Sequence, residues 1–343
     1  MNNLLFKACE EGQVETVREL LKQGANPNIH GEEKFQRAPL HISTNSEITQ
    51  LLISYGADVN ITDCNGNTPL HSASTCKMIN LEKMTQLLNQ GANPNALNRG
   101  EYTPLHLVMF VYHLAINHSS QELVLEAIKL LVKFNAEIDI QNELGESPLF
   151  IGITTVPANE QKPEIIHELL KLGANPNLTT TSQSTPFQQV VCQSKNLDLM
   201  SLMVSYGARY DYVNSSGVTL LHFAAYNLNL EIMRKLLENG AEPNALDKIK
   251  NSPLHCVFLA KDEKYIVEAI KELVSHGADI NTQNKKGKTP LHRATKLDNY
   301  NVIKVLLELG SDPNIKDENG NTALEMALVD GNKMNFVKSL FLS

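Results

Sequence analysis

The chain has 343 residues, 42% of them hydrophobic and 20% charged, with 30 Lys+Arg against 38 Asp+Glu for a net charge of -8. That length exceeds an ordinary single-core domain and calls for several globular domains or one elongated repeat array. The acidic balance argues against attraction to nucleic acid or anionic membrane, and a neutral or basic partner surface suits it best.

The start, Met1 to Lys7, lacks the charged and apolar regions of a signal peptide, and no run approaches the ~20 apolar residues of a spanning helix. A cytoplasmic setting without membrane insertion is the expectation. Five cysteines, Cys9, Cys64, Cys76, Cys192 and Cys256, occur without a CxxC pair and are expected to be free thiols rather than disulfides or zinc ligands. The glycosylation triplets at Asn60, Asn117, Asn177 and Asn214 are read as unused.

In chain order, a four-residue phrase returns: APLH at Ala38, TPLH at Thr68 and Thr103, SPLF at Ser147, TPFQ at Thr185, TLLH at Thr219, SPLH at Ser252, TPLH at Thr289 and TALE at Thr322. Each phrase suits a helix start. Thr or Ser at the N-cap accepts a backbone N–H, Pro fits the first turn, Leu points inward and His returns a hydrogen bond. By that logic His41, His71, His106, His222, His255 and His292 are structural, not catalytic or metal-binding. After each phrase a first helix, a loop and a second apolar helix lead to Leu-Leu or its like and a Gly-Ala pair, as at Leu236, Leu237 and Gly240. The Gly fits a left-handed C-terminal cap, and the Asn-Pro-Asn or Asp-Val-Asn segment behind it turns the chain out into a finger.

The phrase and its period near 33 residues resemble the ankyrin-repeat family. The resemblance implies an all-α ankyrin-repeat solenoid, one domain over 1–343, with units at about 1–28, 29–60, 61–95, 96–139, 140–177, 178–211, 212–244, 245–281, 282–314 and 315–343. Such a stack is expected to be elongated and nearly free of sheet, because each unit buries its apolar faces only against its neighbours. The first and last units look like caps, the last with Thr322 and Glu325 spaced as a capping box. Departures are mild: Ala38 loses the capping hydroxyl, Leu220 the proline, and Phe150 and Gln188 the histidine.

From each terminal Gly, or Asn135, to the next phrase is twelve residues, except fourteen between Gly24 and Ala38. From phrase to terminal residue the distance varies, from 18 between Ala38 and Gly56 to 32 between Thr103 and Asn135. Variation therefore falls between the paired helices. In the fourth repeat the added residues are Tyr112 to Ser120, with a longer first helix expected and Ser119 and Glu122 spaced as a capping box for the second. In the fifth they surround Pro157 to Pro163 and in the eighth they are Lys261 to Lys264, both read as exposed loops, either neutral or used for binding.

Partners of ankyrin proteins lie against finger tips and first helices, on a concave face. Carried over, the resemblance puts Arg99, Tyr102, Leu144, Ile249, Lys285 and Lys286 on tips and Phe110, Val111, Tyr226 and Leu259 on first helices, as partner-binding residues. For Phe110 and Val111, contact and local burial are equally open. The expected function is a non-enzymatic scaffold, with no cofactor and no metal, monomeric, binding another protein. No Walker loop, Rossmann fingerprint, HExxH, GxSxG or kinase signature occurs. Two alternatives remain. The abundance of Asn, Lys and Ile resembles effectors or accessory proteins of intracellular bacteria and large viruses, which would place the chain in a host cytosol. Asn60 and Asn281, ending LISYGADVN and LVSHGADIN, resemble targets of an asparaginyl hydroxylase.

Overall fold

Every phrase that begins with Pro or Leu after a hydroxyl residue opens a helix in the structure, a computed structural model that describes residues 2–75, 79–112, 118–155, 163–193, 196–260, 264–296 and 300–329. Cys76, Asn117, most of the fourth-repeat insertion, Pro157 to Lys162, Lys261 to Glu263 and the end of the last repeat lie outside the described residues. By its internal contacts the chain forms two compact units, Met1–Pro186 and Phe187–Ser343.

The first unit holds α1 (Asn2–Glu10), α2 (Val14–Lys22), α3 (Pro39–Ile42), α4 (Ser46–Ser54), α5 (Pro69–Thr75), α6 (Leu81–Asn89), α7 (Pro104–Tyr112), α8 (His118–Lys133), α9 (Pro148–Thr154) and α10 (Pro163–Lys171). First helices pack on first helices, α1 on α3, α3 on α5, α5 on α7 and α7 on α9, and second helices pack likewise from α2 to α10. The second unit holds α11 (Pro186–Gln193), α12 (Leu197–Ser205), α13 (Leu220–Tyr226), α14 (Leu230–Glu238), α15 (Pro253–Val257), α16 (Ile266–Ser275), α17 (Pro290–Ala294), α18 (Tyr300–Glu308) and α19 (Ala323–Val329). There α13, α15, α17 and α19 form the inner row and α14, α16 and α18 the outer. Each unit is an all-α stack of paired helices. Among the described residues β structure is limited to two isolated bridges, Val213 with Thr219 and Lys316 with Thr322.

The core follows from the outer helices' pattern. In α14, Ile232, Met233, Leu236 and Leu237 are buried while Arg234, Lys235 and Glu238 face water, one apolar stripe at helical spacing. Such helices start on an asparagine whose side chain accepts an N–H of the first turn: Asn45, Asn80, Asn196 and Asn229. They end on a left-handed residue such as Gly240, φ 83°, which returns the chain to the finger.

The fourth repeat departs from expectation. Its first helix, α7, has nine residues against seven in α5, but the second, α8, has sixteen against nine in α6. Since α8 already includes His118, Ser119 lies inside the helix and is not the flanking residue a capping box requires.

The second repeat is short because α3 has only four residues. Eight positions before the terminal residue, the second repeat and the fourth to ninth carry Ile48, Ala127, Ile165, Leu199, Ile232, Ala269 and Val302, all fully buried, while the first repeat has the exposed Thr16 there. In the third repeat that position is Lys83, only 3% exposed. Its ammonium donates to the His41 carbonyl at 3.0 Å and the Ser43 carbonyl at 2.7 Å. A truncated helix leaves carbonyls without intrahelical partners, and the lysine reaches back to cover them.

Candidate functional site

The fingers are held by short-range polar chemistry that fixes where their tips stand. Asp247 illustrates it: Oδ1 accepts the N–H groups of Ile249 at 3.0 Å and Asn251 at 2.8 Å, and Oδ2 accepts the Asn251 amide at 3.2 Å. Asn98, Asn142, Asn214 and Asn284 bind their own turns in the same way. Successive tips are joined through the main chain. In the first unit Arg99 N–H donates to Asn65 at 2.9 Å and Thr181 N–H to Leu144 at 2.9 Å; in the second, Lys248 donates to Ser216 and Lys285 to Ile249, each at 2.8 Å. Gly287, φ 67°, sits where a Cβ would come within 2.7 Å of the Glu318 nitrogen, so this tip admits no side chain.

Beneath the tips runs a series of imidazoles. The Nδ1 atoms of His41, His71, His106, His222, His255 and His292 accept the N–H of Ala38, Thr68, Thr103, Thr219, Ser252 and Thr289 at 3.0 to 3.2 Å. Nε2 therefore carries the hydrogen, and in each ring it donates to a carbonyl of the following finger: Asn67, Tyr102, Glu146, Asn251, Lys288 and Asn321, at 2.8 to 3.1 Å. Burial holds His41, His71 and His222 below the ordinary imidazole range and pushes His106 and His255 down to about 4. The reading of these histidines as cap partners stands; their second bond, to the next repeat, was not foreseen. The fixed finger length was its signal, because only a constant span returns the same carbonyl to every ring.

The cysteines follow the burial pattern. Cys9, Cys64, Cys192 and Cys256 are free thiols, and burial pushes Cys9, Cys192 and Cys256 up to about 12, far from a reactive thiolate.

Of the expected contact residues, Leu144, Tyr226, Ile249 and Leu259 are exposed at 49%, 43%, 54% and 43%, and Arg99, Lys285 and Lys286 are exposed too. Leu259, expected on a first helix, stands instead in the turn after α15, which ends at Val257 where Phe258 caps it. Tyr102 is half-buried, its ring edge-on to His106 at 5.8 Å and to Phe110 at 5.4 Å. Phe110 and Val111 are also half-buried, so the three combine packing with partial display. Tips that sequence reasoning passed over also show apolar groups, among them Phe35 at 43%, Val213 at 55% and Leu246 at 46%. In the first unit a concavity of about 830 Å³ opens where α3 is short, lined by Phe35, Ile42, Asn80 and Lys83 among others.

Asn60 and Asn281 are clasps between repeats. The Asn60 amide donates to the Gly91 carbonyl at 3.2 Å and its Oδ1 accepts Asn93 N–H at 2.8 Å; Asn281 does the same with Gly310 and Asp312 at 3.3 and 2.8 Å. Asn28, Asn95 and Asn244 make the same pair of bonds.

No helix of the described residues is long and apolar enough to cross a membrane. Among the described residues no three His, Cys, Asp or Glu side chains converge as a metal site would need.

Comparison with known proteins places this geometry. The family of ankyrin repeats in three copies matches residues 5–98, 43–124, 155–247 and 249–343. The human transient receptor potential cation channel subfamily A member 1 is 27% identical over 271 residues, 76% of this chain and 22% of the channel. An ankyrin repeat protein of Fowlpox virus is 27% identical over 324 residues, 85% of this chain and 50% of the viral protein, and human NF-kappa-B inhibitor zeta is 27% identical over 66% of this chain and 30% of its own length. The chain thus spans between about a fifth and a half of these relatives. In fold it is similar to the crystal structure of the ankyrin repeat domain of Bcl-3, with a TM-score of 0.56 and 23% identity over 71% of this chain and 99% of that one. The matched segments together cover nearly the whole sequence, and the chain belongs to the ankyrin-repeat family.

Proposed function

We propose that the chain is a non-enzymatic scaffold that binds another protein through its finger tips and first helices. The carrying observation is that Leu144, Tyr226, Ile249 and Leu259 stand exposed on segments whose backbone is pinned by turn, tip-to-tip and imidazole hydrogen bonds. A surface already ordered spends little conformational entropy on binding, so exposed apolar groups there act as anchors. The commitment of all six imidazoles to backbone partners supports a role without catalysis, since no ring nitrogen is left to move a proton. Affinity capture from lysate followed by Tyr226→Ala and Leu259→Ser tests this. Truncating a central aromatic anchor is expected to cost about 2 kcal/mol, seen as faster dissociation at unchanged circular dichroism. Unchanged dissociation in both variants would move the interface away from α13 and from the turn after α15.

The breadth of the Fowlpox virus match, 85% of this chain, favours a second reading, in which the partner is a protein of an infected host. Capture from host lysate, compared with lysate of the source organism, separates the two.

A further inference from the structure

Two neighbouring tips in the second unit differ in charge from the rest of the chain. Lys248, Ile249 and Lys250 form one, Lys285 and Lys286 the next, and Lys285 N–H bonds the Ile249 carbonyl at 2.8 Å. All five side chains are exposed, Ile249 at 54%. None of these four lysines is ion-paired among the described residues, where eleven pairs occur elsewhere. The nearby Asp247 and Asp317 spend their carboxylates inward on turn N–H groups, of Ile249 and Asn251 in one case and Asn319 and Asn321 in the other. Glu318, exposed on the following tip, bounds the patch on one side.

The tips are also fixed in place. Asn284 donates to the Asn251 side chain at 3.1 Å, Arg293 donates to the same oxygen at 3.1 Å, and His222 and His255 hold the carbonyls of Asn251 and Lys288. Four cations and one aliphatic side chain are thereby displayed on a hydrogen-bonded backbone in a protein of net charge -8.

We propose that these two tips form a docking site for an acidic protein segment carrying an apolar side chain, which would sit on Ile249 while its carboxylates meet the lysines of both tips. The proposal rests on the scaffold reading and names its partner's chemistry, the reverse of what the total charge suggests. Charge complementarity sets the sign, because unpaired cations on neighbouring tips repel one another and gain from a shared anion. The exposed isoleucine favours a peptide over a phosphate backbone, which has no apolar group to place there.

The test uses the full chain and a fluorescent peptide of alternating Glu and Ser with one central Leu. Comparison probes are the same peptide with Lys for Glu, the same with Ser for Leu, an oligothymidylate and phosphatidylserine vesicles. The acidic Leu peptide should bind best, weakening as salt rises. The pair Lys285→Glu with Lys286→Glu should weaken it about tenfold at low salt, and Ile249→Ser should erase the advantage of the Leu peptide over the Ser peptide. The proposal is overturned by equal binding of the basic peptide, by tighter binding of oligonucleotide or vesicles, or by indifference to lysine reversal. The scaffold reading fails separately. If a captured partner is lost with Tyr226→Ala yet untouched by lysine reversal, the docking site falls and the scaffold stands. If lysine-dependent peptide binding accompanies a captured partner indifferent to Tyr226→Ala and Leu259→Ser, the docking site stands and the first-helix face falls.

Discussion

The third and seventh repeats place different chemistry at the same register of their outer helices, Lys83 in α6 and Ile232 in α14. Each follows a repeat whose inner helix differs in length: α3 has four residues and α11 has eight. Behind the complete inner helix the position is a fully buried isoleucine. Where a turn is missing, it meets bare carbonyls and a cation fits. The difference between Lys83 and Ile232 thus follows the shape of the neighbour.

The largest effect should come from exchanging the two solutions. Ile232→Lys buries an ammonium with no truncated helix to receive it and should cost on the order of 3 kcal/mol or more, while Lys83→Met should cost only about 1 kcal/mol through its uncovered carbonyls. Urea unfolding midpoints at neutral pH decide it, and equal losses would break the comparison.

Acid comes next, and acts on both repeats alike. His41, His71, His106, His222 and His255 have folded values depressed below those of the unfolded chain, about 6.5, so unfolding takes up protons. Stability is then fully present above about pH 6.5 and lost as pH falls toward the value near 4 that burial sets for His106 and His255. Unfolding midpoints measured between these limits should decline steadily; a flat profile would mean the rings leave their carbonyls at little cost.

Smaller still is the cap of the seventh repeat's outer helix. Asn229→Ala removes the acceptor for Ile232 N–H and should cost about 1 kcal/mol. The smallest effect is a gain: Ala38→Ser supplies the hydroxyl that the second repeat lacks and should add a few tenths to about 1 kcal/mol. A loss there would show that the short α3 has no room for the cap its neighbours use.

Much of this was legible beforehand for a physical reason. Helix starts at Thr219 and Thr289, the left-handed exit at Gly240 and the structural role of the histidines are local, each decided within a few residues. What escaped was relational. Lys83 looks like any polar residue until the carbonyls of another repeat are set against it, and Ser119 looks like a cap until α8 is found to begin before it. For the proposed contact residues, exposure at Leu144 and Ile249 followed from tip positions, whereas Tyr102, half-buried, packs edge-on to Phe110, eight residues away on a helix face. Linear spacing does not report such ring contacts.

The imidazole and asparagine links between repeats have a consequence for how such a chain changes over time. Each ends on main-chain atoms of the neighbour, Nε2 of His222 on the Asn251 carbonyl, the Asn244 amide on that of Gly277. A main-chain acceptor is the same whatever side chain it carries, so a neighbour can drift, be duplicated or be exchanged without a matching substitution across the joint. Lys83 obeys a different rule: its partners are open because α3 stops early, which ties one residue's identity to a short helix some forty positions upstream. Most joints here are interchangeable parts, and this one is a fitted pair whose halves must be inherited together.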